Sequence, residues 1–135
     1  MKLAEVLKAA GEPTRLRLLN LLRQGDICVC DLQAVLEIPQ PTISRHLAIL
    51  RRAELVLDER DGTRVFYRLA PATTAQLKAF QKFLAQACPC EESLRQDLET
   101  LHQATAQGEC RVLPPAFAKQ RPGLKGKPPS VRAAR

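Results

Sequence analysis

The hydrophobic pattern of residues 31–69 changes its period once, and this change limits the folds open to the chain. Apolar residues first recur with a helical period over 31–38 and over 40–55, and Pro39 and Pro41 mark the break between the two segments. Two apolar runs with strand character follow, at 55–57 and 65–69, and between them lies Asp61-Gly62, a dipeptide that favours a tight hairpin turn. The order of these elements predicts a helix-turn-helix motif followed by a β-hairpin wing.

Helical spacing of apolar residues continues on both sides of this unit. It predicts helices over 2–10, over 13–24 with Pro13 in the first turn, over 73–87 and over 91–107. From residue 110 onward, prolines and basic residues replace any periodicity, so we expect this end of the chain to be disordered. The predicted fold class is therefore mainly α with a β-hairpin wing.

The net charge of +7 comes entirely from the C-terminal end. Seven of the 21 basic residues and none of the 14 acidic residues lie in 111–135, so residues 1–110 are neutral as a whole. A basic chain suggests a nucleic-acid partner, but for the folded part this must be argued from individual residues. No apolar run approaches the roughly 18–20 residues that a membrane span needs. The N-terminus also lacks the apolar core of a signal peptide, so we expect a cytoplasmic protein with no membrane partner.

The outward face of the second helix of the motif carries the candidate DNA contacts. Ile43, Leu47 and Leu50 share the inward face. In a winged helix-turn-helix, the first turns of this helix meet the base edges in the major groove. The expected contacts combine amide, hydroxyl and basic groups that pair with bases or phosphates: Gln40, Thr42, Ser44, Arg45 and His46 on the helix, and Arg60 and Arg64 on the wing. Arg51 and Arg52, at the far end of the helix, suit the DNA backbone. Taken singly, each of these residues is equally typical of a solvated helix face.

The five cysteines form two pairs with the spacing Cys-x-Cys and one single residue, Cys110. In a reducing compartment they are expected to be ligands or free thiols rather than disulfides. Cys28 and Cys30 can bind one ion only if residues 28–30 are extended, which puts both side chains on the same side, or locally unwound. Cys30 would then lie at a helix N-terminus, which lowers the pKa of a thiol. The alternative for Cys28 is a small buried apolar residue.

Four segments together resemble the ArsR/SmtB family of metalloregulatory repressors, and its arsenic-responsive branch in particular. They read EPTRLRLLNLL, CVCDL, QPTISRHLAILRRAELV and RDGTRVFYRL. The resemblance covers about residues 3–90. It implies a homodimer, joined through the first helix and the helix after the wing, that binds operator DNA and leaves it when an inducer binds. The expected domains are a winged helix-turn-helix DNA-binding and dimerisation domain at 1–90, a C-terminal helix at 91–108 and a basic disordered tail at 109–135.

The resemblance is incomplete at three places. The arsenic branch often has a further cysteine where this chain has Gln33, and the family usually has glycine where this chain has Glu54. Some relatives bind zinc through carboxylates and histidines on the helix after the wing, and this chain has neither residue type between 76 and 88. The predicted metal ligands are therefore Cys28, Cys30, Cys88 and Cys90, with Cys110 as a further candidate.

Thiolates select soft ions. The expected inducer is As(III) or Sb(III), with no organic cofactor, and a site with two sulfurs would suit a methylated arsenical. Two alternatives remain open on the same scaffold: a sensor of Cd, Pb or Zn, and a thiol-redox sensor. An enzyme is not expected, because the chain has neither a Cys-x-x-Cys motif nor a nucleophile with an activating histidine nearby.

Overall fold

The computed structural model describes residues 2–113, which form six helices, four strands and a short 3-10 helix. The helices are α1 (Leu3–Ala10), α2 (Pro13–Leu22), α3 (Val29–Leu36), α4 (Gln40–Arg52), α5 (Ala75–Ala87) and α6 (Glu92–Ala106). The strands are β1 (Asp26–Cys28), β2 (Val56–Asp61), β3 (Arg64–Leu69) and β4 (Val112–Leu113), and the 3-10 helix is Cys88–Cys90. The predicted fold class, mainly α with a β-hairpin wing, is confirmed.

Local signals start the helices where the sequence predicts them. Pro13 occupies the first turn of α2, and the carboxylate of Glu12 accepts a hydrogen bond from the backbone N–H of Arg15 at 2.9 Å. The Thr74 hydroxyl accepts one from the Leu77 N–H at 3.1 Å and caps α5 in the same way. These caps satisfy backbone donors that have no partner inside the helix.

Helices α3 and α4 form the helix-turn-helix. The connection turns at Glu37, which adopts a left-handed conformation with φ 54° and ends α3. Ile43, Leu47 and Leu50 have no exposed surface, so the predicted inward face of α4 is confirmed. Burial of each such side chain contributes about 1.5–3 kcal/mol, and this packing fixes the face that α4 turns to solvent.

The wing is the antiparallel hairpin of β2 and β3. Asp61 pairs with Arg64, so the two turn residues are Gly62 and Thr63 rather than the predicted Asp61-Gly62. Gly62 has φ +65°, as required at the first central position of a type II′ turn. The first strand runs to Asp61, beyond the predicted 55–57, because it pairs with β3 along its whole length.

The sheet contains two strands that the sequence does not predict, and its order is β2-β3-β1-β4. Asp26 pairs with Leu113, and Ile27 pairs with Val112. The expectation of disorder from residue 109 is therefore wrong for residues 109–113, where strand pairing and burial of Leu113 order the chain. Residues 114–135, the rest of the expected tail, lie outside the described residues. Gly25 permits the pairing, since a Cβ there would lie 2.3 Å from the Leu113 carbonyl oxygen.

Helix α6 packs against α2 through polar contacts as well as apolar ones. The Arg17 guanidinium donates two hydrogen bonds to Asp97, at 2.8 and 3.0 Å, and the Asn20 amide donates to the Leu94 carbonyl at 2.9 Å. These contacts attach α6 to the DNA-binding unit. Over residues 2–113, none of the helices has the length and apolar character that crossing a membrane requires.

Candidate nucleic-acid interface and thiol site

The N-terminal half of α4 presents three of the predicted DNA contacts to solvent. Gln40 and Arg45 are exposed, and Thr42 is half-buried. Arg45 lies about one and a half turns after Gln40 on this helix. The amide, the hydroxyl and the guanidinium on this half of the helix can pair with base edges and phosphates in the major groove.

Ser44 is not exposed, contrary to expectation, and His46, half-buried like Thr42, has partners within the protein. Ser44 is buried, because it follows Ile43 and precedes Leu47 on the packed side of α4. His46 is half-buried, with Nδ1 3.2 Å from a guanidinium nitrogen of Arg15 and 3.6 Å from the Glu12 carboxylate. These contacts join α4 to the start of α2, so His46 connects two helices.

The wing exposes the two basic residues at its tip and buries two of its three acidic residues. Arg60 and Arg64 are exposed on either side of the turn, as predicted. Asp58 and Glu59, which the sequence places beside them, are 0% and 3% exposed. Their carboxylates therefore subtract little from the positive charge of the wing tip, where Asp61 is the exposed acidic residue.

Ion pairs with arginine stabilise the buried carboxylates of Asp58 and Glu59. Arg51 approaches Asp58 at 3.7 Å, and Arg68 donates to Glu59 at 2.6 Å. Arg51, expected at the DNA backbone, has a side chain only 15% exposed. It neutralises a buried carboxylate, because an unpaired charge inside the protein would be costly.

Cys28 and Cys30 come together at the start of α3, although residues 28–30 are not extended throughout. The helix begins at Val29, and Cys28 is its N-cap residue with extended torsion angles, φ −68° and ψ 144°. The turn from extended to helical backbone brings the two thiols within hydrogen-bonding reach of each other. Cys28 is buried and Cys30 is exposed. The predicted pairing of the thiols therefore arises from an N-cap and not from a strand.

The pKa of Cys30 moves in the opposite direction to the predicted one. Although the residue is exposed, its sulfur is partly buried; this burial, the hydrogen bond and charge interaction with Cys28, and the nearby Asp31 carboxylate raise the pKa of Cys30 to about 12. Arg64 of the wing opposes this rise. The Cys30 thiol is therefore protonated at neutral pH.

Both thiols line a cavity of about 290 Å³ that opens between α3, α4 and the wing. Its other lining residues are Val29, Gln40, Thr63, Arg64 and Val65. Two of these, Gln40 and Arg64, are predicted DNA contacts. The candidate thiol site and the candidate DNA interface therefore share one wall, which the sequence does not indicate because Cys30 and Arg64 are far apart along the chain.

The second cysteine pair lies far from the first within one chain. Cys88 is buried and Cys90 is exposed in the 3-10 helix that precedes α6. Cys28 and Cys30 lie near the other end of α6, where their neighbour Asp31 contacts Cys110 and Arg111. The 15 residues of α6 correspond to about 22 Å at 1.5 Å per residue. Burial raises the pKa of Cys88, against the opposing charge of Arg23. One chain thus does not bring the four predicted ligands together.

Cys110 lies closer to the first pair than Cys88 and Cys90 do. Its thiol contacts the Asp31 carboxylate, which also accepts the Arg111 backbone N–H at 3.0 Å. Burial and the Asp31 carboxylate raise the pKa of Cys110 to about 11. Over residues 2–113, however, no group of three or more His, Cys, Asp or Glu side chains is arranged to hold a metal ion.

Comparison with known proteins identifies the family. The family model described as bacterial regulatory protein, arsR family, matches residues 12–57, which run from the N-cap of α2 into the wing. The arsenical resistance operon repressor of Escherichia coli is 42% identical over 89 residues, which are 65% of this chain and 74% of that protein. The chain belongs to the arsR family. It is a transcriptional regulator with a winged helix-turn-helix.

Two further relatives lie close to this arsR-family chain. The arsenic resistance transcriptional regulator ArsR1 of Pseudomonas putida is 43% identical over 83 residues, and the match spans 61% of this chain and 65% of ArsR1. The homodimeric winged helix-turn-helix DNA-binding domain of a possible ArsR-family regulator from Mycobacterium bovis, solved by NMR, superposes with a TM-score of 0.53 at 35% identity. That comparison covers 62% of this chain and 77% of the other.

Proposed function

We propose that this regulator is a homodimeric repressor that leaves its operator when trivalent arsenic or antimony binds Cys28 and Cys30. The observation that carries the proposal is the shared cavity: the two thiols line the same wall as Gln40 and Arg64. A ligand bound there acts on the DNA-binding surface directly. The relatives named for arsenic resistance support the choice of ligand.

The DNA-binding half of the proposal rests on exposed polar groups. Gln40, Thr42 and Arg45 enter the major groove, and Arg60 and Arg64 of the wing contact the flanking phosphates or the minor groove. Each subunit of a dimer binds one half-site, and the half-sites are about 34–36 Å apart.

Exposed apolar side chains on α1 and α5 support the dimer. Leu3 and Leu7 on α1 are 51% and 55% exposed, and Phe83 on α5 is 61% exposed. Large apolar residues at the surface mark interaction sites when they cluster. The resemblance to the family assigns these same two helices to the dimer interface, and a homodimer would cover their side chains.

The chemistry of the site favours trivalent arsenic over zinc. Thiolates are soft ligands and prefer soft ions. Structural zinc requires four donors in a tetrahedron, and the described residues supply no group of even three around the thiols. Trivalent arsenic needs three donors, and one of them need not come from the protein.

The raised pKa values of Cys30, Cys88 and Cys110 argue against a redox sensor that oxidises these three thiols. A redox-sensing cysteine is a low-pKa, accessible thiol. The pKa of Cys30 is raised to about 12, chiefly by burial of the thiol, and that of Cys110 to about 11 for the same main reason. Neither thiol has the thiolate character that peroxide attacks.

A pair of double variants tests the proposal. Cys28→Ser/Cys30→Ser retains operator affinity but no longer releases DNA when As(III) is added, because the two ligands are gone. The wild-type protein loses about 5–150-fold in affinity, the usual range of allosteric coupling. Anisotropy of a fluorescent operator fragment, titrated with protein with and without As(III), measures both quantities.

The matched control is Cys88→Ser/Cys90→Ser, which carries the same chemical change at the other end of α6. It releases operator like the wild type if the first pair is sufficient. Loss of release in this control would assign the missing ligand to Cys88 or Cys90 of a partner subunit. Release that persists in Cys28→Ser/Cys30→Ser would refute the proposed site, and release by peroxide without metal would favour the redox sensor.

A further inference from the structure

We propose that arsenic bound by this protein has two sulfur ligands, Cys28 and Cys30, and keeps one hydroxide oxygen, which the guanidinium of Arg64 holds. This inference rests on the proposed function and specifies its ligand set. It also makes Arg64 a residue for which DNA and inducer compete.

The first observation is that no third sulfur faces the cavity. Cys28 packs with Phe66 and Leu113, whereas Cys110 packs in the main core. Cys110 is not among the residues that line the cavity. Its thiol is near enough to Cys28 for a charge interaction, but it contacts the Asp31 carboxylate.

The second observation is that the cavity offers oxygen-binding groups next to the thiols. Arg64, Gln40 and Thr63 line it together with Cys28 and Cys30. A guanidinium supplies several N–H donors and no acceptor, so it suits an oxygen carrying partial negative charge. The volume of about 290 Å³ exceeds the roughly 30 Å³ that one water molecule occupies in the liquid, so it has room for a hydroxide on arsenic.

The binding step balances without an oxidant or reductant. Arsenous acid carries three hydroxides on arsenic(III). Two As–O bonds break and two As–S bonds form, and each thiol proton leaves with a hydroxide as water. Arsenic remains trivalent, and its third hydroxide stays in place with Arg64 donating hydrogen bonds to its oxygen.

This arrangement couples the inducer to DNA through one side chain. Arg64 is the first residue of β3 and is exposed beside the wing turn, where it also serves the proposed DNA contact. One guanidinium cannot hold a DNA phosphate and turn into the cavity at the same time. Bound arsenic therefore withdraws Arg64 from its DNA contact, and bound DNA withdraws Arg64 from the hydroxide oxygen on arsenic.

The test combines a ligand count with a matched pair of variants. X-ray absorption of the wild-type protein loaded with As(III) is expected to show two sulfurs and one oxygen around arsenic, and Cys110→Ser is expected to give the same count. Arg64→Ala and Arg60→Ala both weaken operator binding, because both remove a positive charge from the wing. Only Arg64→Ala is expected to shrink the As(III)-induced loss of operator affinity, by about fivefold or more on the usual scale of allosteric coupling.

The outcomes separate this inference from the proposed function. Three sulfurs around arsenic, or an As(III) effect of equal size in Arg64→Ala and Arg60→Ala, would overturn the inference. The proposed function as an arsenic-responsive repressor would still stand. A wild-type protein that binds no As(III), or binds it without releasing operator, would overturn the proposed function itself.

Discussion

Replacing Asp31 by alanine tests whether one carboxylate holds the C-terminal strand against the thiol site. Asp31 lies in the first turn of α3 and is 7% exposed. It accepts the Arg111 N–H at 3.0 Å, contacts the Cys110 thiol, and lies 3.9 Å from the sulfur of Cys30. The substitution leaves the Arg111 N–H without this partner and removes a negative charge from a helix N-terminus.

The expected loss of stability follows from these contacts. A hydrogen bond to a charged group contributes about 1.5–3 kcal/mol, and a carboxylate at a helix N-terminus contributes about 0.3–1 kcal/mol. Asp31→Ala therefore lowers the free energy of unfolding by about 2–4 kcal/mol. Asp31→Asn retains an oxygen acceptor at the same position, so its loss is expected to be about 1–2 kcal/mol, the contribution of the charge.

Two measurements check this reasoning. Urea unfolding at one fixed protein concentration gives the stability difference, since a dimer's stability depends on concentration. Amide hydrogen exchange at residues 111–113 reports local opening of β4, which is expected to be faster in Asp31→Ala than in Asp31→Asn. Equal stability of the two variants, with unchanged protection at 111–113, would refute the role assigned to the carboxylate.

Three further predictions concern pH, backbone strain and assembly. Because the pKa of Cys30 is raised to about 12, this thiol is protonated at neutral pH. Arsenous acid releases water that carries this proton away, so its affinity is expected to stay level from about pH 6 to 8. Cd²⁺ must displace at least this one proton, so its affinity is expected to gain at least about tenfold per pH unit. Calorimetry in several buffers checks this, and a steep rise for As(III) would contradict it. Glu54 has φ 63°, a backbone conformation that costs a residue with a side chain about 1–2 kcal/mol. Glu54→Gly is therefore expected to stabilise the fold by about 0.5–1 kcal/mol, once the entropy cost of glycine is subtracted. Glu54→Val is expected to destabilise it, and thermal unfolding measures both changes. Phe83→Glu places a charge on the proposed dimer surface, and sedimentation is expected to show monomers with weakened operator binding; an unchanged dimer would assign the interface elsewhere.

The helices and the wing follow from local signals that a sequence carries. Pro13 and Pro41 start helices because a missing N–H is harmless in a first turn. The periodic spacing of Ile43, Leu47 and Leu50 identifies the packed face of α4. These signals involve residues a few positions apart, so they can be read from the sequence without the fold. The order of the elements then indicates the family.

The thiol site depends on tertiary structure more than on local sequence. The spacing of Cys28 and Cys30 indicates a pair, but the raised pKa of Cys30 comes from burial and from neighbours brought in by folding. Likewise, strand β4 forms only because it pairs with β1, more than 80 positions earlier in the chain. A two-residue strand has too little local preference to be predicted by itself.

The amino-acid sequence by itself determined the element order, the packed face of α4 and the pairing of the first two cysteines, since each depends on residues close together in the chain. Tertiary structure alone decided that Arg51 pairs with Asp58, that His46 contacts the start of α2, and that Arg64 lines the thiol cavity. Each of these contacts joins separate elements, and the direction of a charged side chain is set by the partner that reduces the cost of its burial. That partner is known only when the elements are packed.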